Sequence, residues 1–126
     1  MQRIIALFTL TLLLSACQAL AVGQPEVVIA LLTKPSTPVV GASSITVLLH
    51  DSSGKPIQRA HVVIEGTSLF PGTTPIQSVT HERAPGVYDT RLVWPQAGSW
   101  LVIVRATLAN GDIVQRQVDV PYVHAR

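Results

Sequence analysis

Between Gly86 and Ala106 apolar and polar positions alternate twice, on either side of a turn. In Val87–Val93, Tyr88, Thr90 and Leu92 share one face of an extended strand, and Val87, Asp89, Arg91 and Val93 share the other. Strand side chains point to opposite faces with period 2, so the charged residues mark the second face as wet. Pro95 and Gly98 turn the chain, because proline cannot donate to a ladder and glycine accepts backbone angles other residues resist. After the turn, Trp100, Val102, Val104 and Ala106 share a face, with Leu101, Ile103 and Arg105 opposite. This pair of strands predicts the centre of a small β-sheet core, with Trp100 inside it.

The same period runs through the rest of the chain. Val27–Leu32 is apolar and rich in β-branched residues, a first strand. In Ser44–Asp51, Ile45, Val47 and Leu49 alternate with Thr46, Leu48 and His50; in Ala60–Glu65, Ala60, Val62 and Ile64 point inward. Ile76–Arg83 is more polar and reads as an edge strand. Asp112–Val120 is the last strand, where Arg116 on the face of Val118 and Val120 marks either a bulge or an edge. Thr33–Gly41 is extended but irregular, and Gly66–Pro75 is a long loop. Asn110-Gly111 is the strongest hairpin signal. With no helical periodicity after residue 22 and about seven strands, the pattern predicts an all-β antiparallel β-sandwich.

Composition changes this picture at the N terminus. Of 126 residues 48% are hydrophobic, but much of that excess lies in the first 22. Arg3 followed by the apolar run Ile4–Leu14 reads as a signal peptide over residues 1–16, too short to span a bilayer comfortably. Leu14-Ser15-Ala16-Cys17 resembles a bacterial lipobox. That resemblance implies cleavage before Cys17, a diacylglycerol thioether on its sulfur and palmitate-type acylation; the alternative is a plain signal peptide with a cysteine there. Several acyl chains anchor a protein stably where one holds it only marginally. The implied location is the bacterial cell envelope, outside the cytoplasm, with the membrane as the first partner. Gln18, not aspartate, follows the cysteine, which implies the outer membrane in a Gram-negative host. Residues 17–25 then form the lipidated cysteine and tether, 26–122 the domain and 123–126 a frayed tail.

Charge excludes one class of partner. Removing residues 1–16 takes Arg3 from the nine basic residues and leaves eight against seven acidic ones. A near-neutral domain without a basic stripe is no nucleic-acid binder. A single cysteine excludes an intrachain disulfide, so the fold rests on its apolar core.

A family comes into view in the order Asp51-x-x-Gly54-x-Pro56-Ile57-x-x-Ala60-x-Val62, then Gly86-Val87-Tyr88, then Gly98-Ser99-Trp100-Leu101-Val102-Ile103-Val104. This resembles the YtkA-like domain, an Ig-like fold related to FixH and similar to CopC-type copper proteins. The resemblance implies an Ig-like sandwich and copper handling or respiratory oxidase assembly as a role. It also implies a Met-Pro-Gly-His type segment after the A-x-V strand. Here that loop reads Leu69-Phe70-Pro71-Gly72-Thr73, with Phe70 at the methionine position and Thr73 at the histidine position. No methionine follows Met1, so no copper ligand carries over.

The remaining chemistry is sparse. His50, His61, His81 and His124 make no close chelating spacing. His50 and His61 fall on outward strand faces and form the sole candidate metal pair, so metal binding is not expected, nor is any cofactor. No G-x-S-x-G elbow or converging carboxylates support an enzyme. Phe70 either plugs one end of the sandwich or anchors a protein partner, and Trp94, beside Pro95, has the same two readings. The leading expectation is a non-enzymatic envelope lipoprotein whose domain binds a protein partner or modulates an envelope complex.

Overall fold

The computed structural model describes residues 26–126. The alternating segments form eight strands: β1 (Val27–Lys34), β2 (Gly41–Asp51), β3 (His61–Ser68) and β4 (Ile76–Val79), then β5 (His81–Ala84), β6 (Val87–Trp94), β7 (Gly98–Thr107) and β8 (Ile113–Val123). They make two antiparallel four-stranded sheets, ordered β1-β2-β6-β5 and β4-β3-β7-β8, packed as an Ig-like sandwich. Residues expected inside from alternation are buried, among them Ile45, Val47, Leu49, Val62, Ile64, Tyr88, Leu92, Trp100, Val102 and Val104.

The count is eight because Ile76–Arg83 is not one strand. Thr80 is buried, and its N–H and hydroxyl both donate to the Val62 carbonyl, at 3.0 and 2.9 Å. Before it the chain pairs with β3; after it the chain crosses and pairs with β6. Both pieces are edge strands. The crossing closes one side of the sandwich, where the Ser78 and Thr90 hydroxyls meet at 2.5 Å.

The other side lies between the edges of β1 and β8. There the Arg116 guanidinium donates to the Ile29 carbonyl of the opposite sheet. Arg116 therefore shares the phase of Val118 and Val120 but stays exposed at the edge; the irregularity in β8 lies further on, between the Gly98 and Trp100 pairings. Higher up, His124 N–H donates to Pro38 O at 2.9 Å and Val40 N–H to His124 O at 2.8 Å. The tail expected at 123–126 is thus corrected. Val123 is the last residue of β8 and fully buried, and His124 is tied to the 38–40 segment through its backbone.

The registers give the domain two ends. Val27, Asp51, Thr107 and Ile113 lie at the near end, where the tether enters. Lys34, Ser68, Trp94 and Gly98 lie at the far end. At the near end Tyr88 is 1% exposed; its hydroxyl donates to Ile57 O at 2.8 Å and accepts from Ala60 N–H at 3.1 Å. That clamps the connection between sheets. Gly86 sits beneath it at φ +74°, and a Cβ there would lie 2.6 Å from Leu49 O. Only glycine fits that left-handed, crowded position.

Candidate interaction site at the far end

Strand β3 runs on to Ser68, so the irregular part of the loop is Leu69–Pro75. Pro71 and Gly72, the latter at φ +81°, turn the chain, and the Thr73 hydroxyl donates back to Phe70 O at 3.0 Å. Phe70 N–H donates to Ser68 Oγ at 3.0 Å, and Leu69 N–H to Ser99 O at 3.0 Å. From the β6–β7 turn, Gln96 Nε2 donates to Thr73 Oγ1 at 2.9 Å and to Ser68 Oγ at 3.2 Å. Trp100 Nε1–H in turn donates to Gln96 O at 3.1 Å. Hydrogen bonds thus run from the core to the loop tip and hold it in one shape.

The tip presents apolar surface. Phe70 is 70% exposed and Leu69 68%. Neither Leu69–Pro75 nor Pro95–Ala97 carries a charge. Phe70 does not plug the sandwich; the tryptophans do. Trp94 and Trp100 meet edge to face with centroids 5.5 Å apart, each 1% exposed. This corrects Trp94 as a partner contact. It continues the inward phase of Tyr88 and Leu92, and its indole N–H donates to buried Ser43 Oγ at 3.0 Å, so it offers no surface.

The histidines are not brought together. His50 is half-buried on the outer face of the β1-β2-β6-β5 sheet, its Nδ1 2.8 Å from Asp51 O; His61 is exposed on the outer face of the other sheet. His81 lies beside Asp89 on the first sheet, and His124 meets Tyr122 edge to face at 4.8 Å. Among the described residues no group of three or more His, Cys, Asp or Glu converges. Cys17 lies outside the described residues.

Sequence reasoning missed Ser68, Thr73 and Gln96, which position the tip. Thr73 stood out only as an occupant of a histidine position. Nothing local singles out Gln96, because its partner is a loop more than twenty residues away that the fold brings alongside.

The fold and the N-terminal address define a class: a lipid-attached protein carrying one Ig-like β-sandwich. A prokaryotic membrane lipoprotein lipid attachment site matches residues 1–18, the segment that takes in Cys17, and the protein is a lipoprotein. The YtkA-like signature matches residues 23–105, and the chain belongs to the YtkA-like family. Among solved structures, the Lin-41 filamin domain superposes with TM-score 0.52 at 16% identity, covering 78% of this chain and 91% of that one; it shares the fold. The PmoD soluble domain from Methylocystis sp. (Rockwell) gives TM-score 0.49 at 10% identity, covering 82% and 94%. No curated protein matches.

Proposed function

We propose that this protein is a non-enzymatic envelope lipoprotein that presents its sandwich domain at a membrane and binds a protein partner through the far-end tip, with Phe70 as the anchor. Lipid on Cys17 holds it to the membrane, the outer one in a Gram-negative host. The observation that carries the reading is Phe70, 70% exposed on an uncharged turn held by Gln96, Thr73 and Ser68. Covering a phenylalanine contributes about 1.5–3 kcal/mol. A turn already fixed loses little further freedom on binding, and exposed aromatics are common anchors of interfaces. The copper-handling alternative suggested by the family has weaker support here, since the Thr73 hydroxyl at the histidine position is occupied with Gln96 and Phe70 O.

A photo-crosslinking phenylalanine analogue at position 70, in the full chain in its native envelope, tests this. A discrete adduct at 70, absent with the probe at position 103, is the expected result. No adduct, or the same adducts at both positions, would sink the partner reading. Separately, Cys17→Ala should abolish labelling by a palmitate analogue and release the chain from membranes.

A further inference from the structure

The outer faces of the two sheets differ in charge. On β1-β2-β6-β5, strand alternation brings out Lys34, Arg83 and Arg91 against a single carboxylate, Asp89. Asp89 is held by the Arg83 guanidinium and by Thr46 Oγ1 at 2.9 Å, so its charge is answered locally. Lys34 and Arg91 lie in one cross-strand row on either side of Ser44, and among the described residues neither has a carboxylate within 4.0 Å. The outer face of β4-β3-β7-β8 instead carries Glu65 and Asp119 against Arg105.

The cationic face also exposes aliphatic side chains, Leu32 at 54% and Val93 at 60%. Between Arg83 and Arg91 is an open hollow of about 570 Å³ lined also by Ser44, Thr46, His81 and by Asp89, whose carboxylate is paired with Arg83. Cations around hydroxyls fit the oxygens of a phosphate, and flanking aliphatics fit the boundary between headgroups and acyl chains.

Geometry supplies the occupant. The tether enters at the first residue of β1, an edge strand of this same sheet. Residues 18–26 reach at most about 30 Å when extended. We infer that the outer face of β1-β2-β6-β5 lies flat on an anionic phospholipid surface, with Lys34 and Arg91, its two cations without a carboxylate partner among the described residues, over headgroup phosphates. This rests on the lipid anchor at Cys17 proposed above. Lying flat also carries the Phe70 tip sideways, to the end of the domain opposite the start of β1.

The test uses the full acylated chain in vesicles. Leu32→Cys, and Ile103→Cys on the opposite face, each take an environment-sensitive dye, the native cysteine being blocked by lipid. In vesicles containing phosphatidylglycerol the Leu32→Cys dye should shift to the blue and the Ile103→Cys dye should not. Phosphatidylcholine alone or high salt should remove the shift, since exposed charges are screened. Lys34→Gln with Arg91→Gln should lower the flat-to-upright ratio about 30-fold, from about fivefold per cation near an anionic surface. Failure of the chain to float with vesicles overturns the anchor and this inference together. A chain that floats, yet shows no shift at Leu32→Cys, an equal shift in both lipids, or a shift at Ile103→Cys, overturns the flat orientation and leaves the anchor standing.

Discussion

Removing one oxygen, by Tyr88→Phe, tests the account of the near end. The ring stays in place and no cavity opens, so the loss is confined to the hydroxyl. It joins Ile57 O and Ala60 N–H, two backbone groups on the connection between β2 and β3. An unsatisfied buried polar group costs ~1–3 kcal/mol, and both groups here are only partly buried. The low end applies to each, giving about 2 kcal/mol in all. For a domain near 100 residues that is a fall in Tm of about 8–15 °C. Alkaline pH supplies an independent reading. Burial first, then the neighbouring Glu82 carboxylate, raises the Tyr88 phenol above its ordinary 10.0. A raised acid favours the folded state while protonated, so its contribution is complete below pH 10 and is lost as pH rises through the raised value. Thermal melts by circular dichroism from pH 7 to 11 should show the wild type losing stability in that window and Tyr88→Phe losing less. A variant with unchanged Tm and the same alkaline slope would refute the clamp.

Trp94→Ala should cost about 3–5 kcal/mol in denaturant melts, as for other large core truncations. Phe70→Ala should stay within ~0.5 kcal/mol of wild type; equal effects would mean the tip and core are confused. Gly86→Ala combines left-handed strain of about 1–2 kcal/mol with a backbone clash, and a melt indistinguishable from wild type would show that the turn relaxes freely. Arg83 first, then the Thr46 hydroxyl, holds the Asp89 carboxyl below its ordinary 3.8. Its stabilisation is present above that value and lost as pH falls through the lowered one, so Arg83→Gln should move the Asp89 NMR titration upward. Titration calorimetry should find no copper site tighter than micromolar, about −8 kcal/mol; a nanomolar site abolished by His50→Ala/His61→Ala would restore the metal reading.

Alternation along each strand decided which side chains are inside, because period 2 depends on the chain alone. Ile45, Val47, Leu49 and the Trp100–Ala106 row were legible for that reason, as were the turns at Gly86 and Asn110-Gly111. Trp94 was legible in principle: it continues the phase of Tyr88 and Leu92, but its proline neighbour drew attention to the turn. Other features needed the assembled fold. Thr80 carries one run into two sheets only because Val62 O accepts both its hydrogen bonds. The Phe70 tip is rigid because Gln96, remote in sequence, arrives beside Thr73. A composition close to neutral hides a cationic face, since Lys34 on β1 and Arg91 on β6, far apart in the chain, share a row only because β2 pairs with both strands. Charge adds along a sequence whatever its order, but a surface potential depends on which strands are neighbours, and that is set by tertiary packing.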